Sequence, residues 1–386
     1  MKKLLLLFAV VFCFPVLLQS AEPVTAPFKA VVLPEGMQHP DGMAVHPATG
    51  DIILACPVIG EKGNAWLLRI DAEDNVSKYF ELPAHPDTGR VTPLGIAFGP
   101  DGNLYIADAQ ALGGNPNHKG RILRVVHENK QPVRCEVVVT GIVQPNGVDI
   151  YNGKIYVAET QIDPDIVEMP MTSGVFCFDI SDMSSRMFRE RSRRQSVTGG
   201  SVIGGAIETN PIHVAPYGAD PRFIFRFQTT DADRAGEWKV GANGIGLAKD
   251  GTLYVANFGD KKIIEVKLDA SGRRVLSHRD INDGTGPHES VDGLKVCPGG
   301  YIFFADFVSN SVCVMNPKNG KTILLAKNAL NPNAEQKLAG ALDRCSEVCL
   351  RGMKLYVANI DLETPEAPHT VSVINLEGID FEALLK

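Results

Sequence analysis

A phrase of strand, turn and strand that returns six times predicts an all-β fold: a six-bladed β-propeller with a long insertion in its third blade. Three observations carry that expectation. Each copy opens on a small loop residue, usually Gly, and most close on Tyr-Val-Ala or a near variant plus a polar residue. Most copies are spaced 49 to 54 residues apart. The 37 Gly and 25 Pro suit many short strands joined by turns.

The first clear copy runs from Leu94-Gly95-Ile96-Ala97 to Leu104-Tyr105-Ile106-Ala107-Asp108. It returns as Asn146-Gly147-Val148 to Ile155-Tyr156-Val157-Ala158-Glu159, and as Asn243-Gly244-Ile245 to Leu253-Tyr254-Val255-Ala256-Asn257. Asp292-Gly293-Leu294 to Phe303-Phe304-Ala305-Asp306 follows, and looser copies start at Asp41-Gly42-Met43 and Ser346-Glu347-Val348. The residue that opens each copy varies: Asp41, Leu94, Asn146, Asn243, Asp292, Ser346. Function is expected in that variation.

One interval breaks the rhythm, the 97 residues from Asn146 to Asn243. Apolar strands at 174–180 and 223–230 complete one blade there, so the excess is read as an insertion at about residues 181–222. It holds Arg186, Arg189, Arg191, Arg193 and Arg194 with Gly199-Gly200 and Gly204-Gly205, and contains no copy of the repeat. A solvated loop explains its arginines; a loop so placed could also cover the channel mouth. Residues 28–33 are apolar and β-prone but precede the first repeat. They are expected to pair with the last blade near 371–376, closing the ring and covering its edges.

Lys2-Lys3, an apolar run at 4–18 broken by Pro15, and Gln19-Ser20-Ala21 form the pattern of a signal peptide. Residues 1–21 are therefore expected to direct export to the periplasm or outside the cell, leaving a propeller domain at 22–386 with no further membrane span. Net charge is −7, which opposes a nucleic-acid footprint. The eight cysteines become seven once Cys13 leaves with the signal, too odd a number for a fully paired framework.

The innermost strand of each blade starts at the variable residue, whose side chain can point into the channel. Asp41, Asn146, Asn243 and Asp292 would bring two carboxylates and two amides to one mouth. That is a hard-oxygen site suited to one divalent cation: calcium first, with magnesium, manganese or zinc as alternatives. Asn-Gly and Asp-Gly are also ordinary turn dipeptides; four in matching register favour the metal reading. The polar residue after Tyr-Val-Ala reads mostly as a loop cap, with Glu159 the one candidate for contact with a ligand. His39 and His288, shortly before ring positions, are further candidates.

On these residues the chain resembles the regucalcin–gluconolactonase (senescence-marker-protein type) family, and more loosely the NHL-repeat propellers. The former are six-bladed propellers that hydrolyse sugar lactones and related esters with one divalent cation. The family's ligands, a Glu in the first blade, Asn in the third and fourth, and Asp in the fifth, imply Asp41, Asn146, Asn243 and Asp292 here. Two departures stand out. Asp41 is one methylene shorter than Glu, and Gln144 stands where sugar-lactone members often carry a substrate-binding Arg, removing a charged fork.

The resemblance implies a metal-dependent lactonase or carboxylic ester hydrolase. Asp292 would position or deprotonate water, and Gln144, Glu159 and His39 would contact the substrate. The alternative is a non-enzymatic NHL-like propeller that binds a glycan, peptide or protein. A quinone-dependent redox propeller gains little, since Trp66 and Trp238 are the only tryptophans. There is no Gly-x-Ser-x-Gly elbow, His-Glu-x-x-His pair or P-loop.

Overall fold

The computed structural model describes residues 22–110, 118–163, 169–183, 207–234, 236, 239–362 and 366–386. The expected signal segment and the arginine-rich stretch of the expected insertion lie outside the described residues. Six sheets, each with a four-stranded antiparallel body, stand around one axis. Strand β1 (Lys29–Val32) comes first in the chain but belongs to the last sheet. Blade one is β2 (Met43–Val45), β3 (Ile52–Cys56), β4 (Ala65–Ile70) and β5 (Val76–Leu82). Blade two is β6 (Pro93–Phe98), β7 (Leu104–Asp108), β8 (Gly120–Glu128) and β9 (Gln131–Ile142).

Blade three is β10 (Pro145–Tyr151), β11 (Lys154–Glu159), β12 (Met171–Asp179) and, after an interruption containing β13 (Ile207–His213), β14 (Phe223–Thr229). Blade four is β15 (Ala242–Leu247), β16 (Leu253–Asn257), β17 (Lys262–Leu268) and β18 (Val275–Asp280). Blade five is β19 (Leu294–Val296), β20 (Ile302–Asp306), β21 (Ser311–Met315) and β22 (Thr322–Lys327). Blade six is β23 (Cys345–Arg351), β24 (Lys354–Asn359), β25 (Thr370–Asn375) and β1.

The Tyr-Val-Ala phrase is explained by the second strand of each blade, which is sandwiched between neighbouring blades and buried on both faces. Side chains alternate across it. Leu104 and Ile106 of β7 enter the apolar cluster shared with blade one, while Tyr105 and Ala107 enter the cluster shared with blade three. In β16, Leu253 and Val255 face blade three and Tyr254 and Ala256 face blade five. Six such clusters, one between each pair of adjacent blades, make the core a closed ring. The outermost strands β5 and β18 are largely exposed or half-buried.

The Gly of the first five copies is required by the approach of the innermost strands. A Cβ on Gly95 would stand 2.5 Å from the Asn146 carbonyl oxygen, one on Gly147 2.5 Å from that of Asn243, and one on Gly244 2.4 Å from that of Asp292. Real side chains do not fit there. Freed of Cβ, Gly244 and Gly293 donate their N–H groups to the next blade, to the carbonyls of Asp292 (3.2 Å) and Ser346 (2.7 Å).

The ring closes as expected: β1 pairs antiparallel with β25, Lys29 opposite Val373 and Val32 opposite Thr370. The chain before it also bonds to blade five, where the N–H of Val24 meets the Leu324 carbonyl at 3.0 Å. A feature absent from the sequence reading is β13, which lies parallel to β9 and widens blade two to five strands. All seven described cysteines are free, and Cys345 and Cys349 lie along one extended strand, too far apart to bridge. No helix among the described residues is long and apolar enough to cross a membrane.

Gly95→Ala should therefore cost about 1–3 kcal/mol by overpacking, with Leu94 itself unchanged. Urea unfolding of the purified variant reads this directly; an unshifted midpoint would mean that the strands can part without cost.

Candidate metal and substrate site at the channel mouth

The ring residues are positioned by one repeated device. The polar residue ending the second strand turns back to hold the loop that leads into the ring. Asp108 accepts the Thr92 N–H at 2.8 Å, and Asp306 accepts the Glu289 N–H at 2.8 Å and the Ser290 hydroxyl at 2.7 Å. Asn359 accepts the Asp343 N–H at 3.0 Å. Asn257 differs, accepting the Thr229 hydroxyl at 2.9 Å and donating to the Gln228 carbonyl. Each cap satisfies backbone groups that a buried loop would otherwise leave unpaired.

Glu159 belongs to this set. Its carboxylate accepts the N–H groups of Val143 at 3.0 Å and Gln144 at 2.6 Å, and it does not line the pocket. Burial pushes it up to about 8, against the pull of those N–H groups. It thus fixes the loop that presents Gln144.

Asp41, Leu94, Asn146, Asn243, Asp292 and Ser346 do converge, lining one pocket together with Gln144. The pocket and the open space at its mouth together span about 510 Å³. Burial pushes Asp41 up to about 6, partly opposed by a hydrogen bond from Ser346. Asp292 is raised well above the ordinary carboxylate range, first by burial, then by the negative charges of Asp41 and Glu347; a hydrogen bond from Asn243 opposes this. No Lys, Arg or His is among the described lining residues. Two buried carboxylates that repel one another, with no cationic side chain beside them among the described residues, need a proton or a cation.

The positive charge deeper in the channel is already committed. Glu347 replaces the ring Gly in blade six, and burial pushes it up to about 7 while Lys295 pulls the other way. Burial alone would lower Lys295, but Glu347 and Asp149 raise it. Asp149 in turn accepts the N–H groups of Leu247 and Ile150, each at 2.8 Å.

The donor chemistry therefore fits a hard divalent cation held by Asp41, Asp292, Asn146 and Asn243. Among the described residues no group of three or more His, Cys, Asp or Glu is arranged for a metal. The ring meets that count only halfway, with amides as its other donors.

The two histidines sit apart. His39 packs outside the lining set, its Nδ1 against the Ile360 carbonyl at 2.9 Å and Asp361 Oδ1 at 3.1 Å. Burial alone would lower it, but the bonds to Asp361 and Ile360 raise it. Asp361 also meets His369 from its other oxygen. His288 points Nε2 at the Lys261 carbonyl at 3.0 Å, away from the pocket lining.

Sequence reasoning missed the apolar wall: Val240, Phe258, Phe307, Ile360 and Leu362. A signal was present, since Phe258, Phe307 and Ile360 each follow the capping residue of their blade directly.

No protein-family model matches this chain, and no curated protein matches it. Solved structures do match. A candidate gluconolactonase aligns over 92% of this chain and 97% of its own at 16% identity, TM-score 0.51. The calcium-binding protein regucalcin from Agrobacterium tumefaciens aligns over 92% and 96% at 12% identity, TM-score 0.53. A PQQ-bound aldose sugar dehydrogenase from Streptomyces coelicolor aligns over 92% and 98% at 14% identity, TM-score 0.51. At these identities the likeness establishes the propeller fold, and the chemistry rests on the site.

The raised Asp41 makes a linkage prediction. The folded chain holds that proton more tightly than the unfolded chain, so the contribution is fully present below about pH 4 and is lost as pH rises through about 6. The loss is ~3 kcal/mol. In chelator, urea unfolding across that range should show it; Asp41→Asn should remove it and be the more stable form near neutral pH. Added calcium should restore the wild type alone. If chelator and Asp41→Asn both leave stability unchanged, the ring needs no counter-charge.

Proposed function

We propose that the protein is an exported hydrolase that opens a lactone or related ester at the channel mouth with the help of one divalent cation, calcium for preference. One observation carries the reading: two buried carboxylates, Asp41 and Asp292, face a pocket with two ring amides and no cationic side chain among its described lining residues. The shared propeller fold supports it, since the solved structures it matches include a candidate gluconolactonase and the calcium-binding protein regucalcin. Export is supported by Lys2-Lys3 and the apolar run after them.

A bound cation would supply charge stabilisation for a developing oxyanion and a lower pKa for water. The chain's own residues do the rest. Asp41, Asn146 and Asn243 hold the oxygen cage, Asn243 also fixing one face of Asp292 by its hydrogen bond. Asp292 accepts the proton of the attacking water and returns it to the alkoxide that leaves as the ring opens, so water and lactone yield one hydroxy acid. Gln144, steadied through Glu159, offers an amide N–H to a substrate oxygen.

The test is ring opening of a lactone panel followed by pH indicator, with calcium, with manganese and in chelator. Turnover should vanish in chelator and return with one metal. Asp292→Asn should lower kcat by at least about 100-fold with an unchanged circular dichroism spectrum. Asp41→Ala should weaken metal binding in direct titration. A folded, metal-binding protein silent on the whole panel would turn the reading to a binding scaffold.

A further inference from the structure

We propose that the mouth selects lactones or esters bearing a hydrocarbon substituent and disfavours polyhydroxylated ones; this rests on the hydrolase reading above. The pocket is divided. Its polar groups, Asp41, Asn146, Asn243, Asp292, Ser346 and Gln144, gather at the ring. Above them the wall is apolar: Phe258, Phe307 and Ile360 pack as one cluster with Val240 and Leu362 against it. Leu94 adds a further apolar group, at the ring itself.

The wall is anchored on one side of the axis. Phe258, Phe307 and Ile360 follow the caps of blades four, five and six, while the corresponding positions in blades one to three are Pro57, Ala109 and Thr160. Phe258 and Phe307 lie with ring centroids 6.4 Å apart. Arg344 reaches this wall, but its guanidinium lies 5.1 Å over the Phe307 ring and donates to the carbonyls of Phe307 (3.3 Å) and Val308 (3.2 Å). It does not line the pocket.

The consequence for a substrate follows from desolvation. A lactone seated with its carbonyl at the ring directs its substituent along this wall. Hydroxyl groups there would lose water and meet carbon, leaving donors unpaired. An alkyl or aryl group loses only unfavourable hydration, worth roughly a fourfold gain per buried methylene. The uncharged Gln144 at the ring fits the same preference, since it offers no ion pair to a polar substituent.

The experiment compares kcat/KM of the calcium-loaded protein for γ-butyrolactone, γ-nonalactone and glucono-δ-lactone. Calorimetric binding of the γ-alkyl lactam, which is not hydrolysed under these conditions, gives a second readout. γ-Nonalactone should exceed γ-butyrolactone by at least about tenfold, with glucono-δ-lactone no better than γ-butyrolactone. Phe307→Leu and, at the rim, Leu362→Ser should each shrink the nonalactone-to-butyrolactone ratio and weaken the lactam. Turnover of glucono-δ-lactone equal to or above that of γ-nonalactone overturns this inference and leaves the hydrolase reading standing. Lactam binding that the variants weaken, without turnover of any lactone, supports the apolar mouth and overturns the hydrolase reading. Neither turnover nor binding overturns both.

Discussion

The structure depends on how closely its innermost strands approach one another. Between blades the α-carbon of a ring glycine lies against the carbonyl of the next ring residue, leaving no room for even one methyl group. This contact sets the channel's width, and the width decides what can gather at its mouth. Six ring side chains share one pocket because nothing beyond hydrogen occupies five of the positions behind them. Blade six, with Glu347 in place of Gly, is the exception, and its carboxylate joins Lys295 and Asp149 deeper in the channel.

Around that axis the molecule is held by apolar sandwiching. Each second strand serves two clusters at once, its alternate side chains going to opposite neighbours. No blade buries its own faces alone, so stability is a property of the closed ring. Pairing β1 with β25 completes the circle with the most distant parts of the sequence. A rigid ring of this kind can support an unfavourable arrangement at its centre.

Asp41 and Asp292 are that arrangement. Burial and mutual repulsion oppose their ionisation, and a half-buried cation nearby in the channel, Lys295, is shared with Glu347 and Asp149. The site is thus electrostatically incomplete within the protein. Such incompleteness costs stability, and it is the condition under which a cation binds strongly. The apolar wall above it lowers the polarity on that side of the carboxylates, which strengthens charge interactions there.

Much of this was legible in the chain alone. The repeat, the blade count, the pairing of 28–33 with the last strand and the convergence of Asp41, Asn146, Asn243 and Asp292 follow from a periodic pattern, because in a propeller equal sequence phase means equal place in a blade. The capping role of the residue after Tyr-Val-Ala was legible for the same reason. What periodicity cannot carry is whatever breaks symmetry. Only the tertiary structure shows that Glu159 is committed to the Gln144 loop, that His39 turns to Asp361, and that β13 crosses to the edge of blade two. Only there do Phe258, Phe307 and Ile360 meet as one wall. These depend on contacts between residues far apart in the chain, and such contacts are decided by which surfaces remain unfilled after the ring has closed.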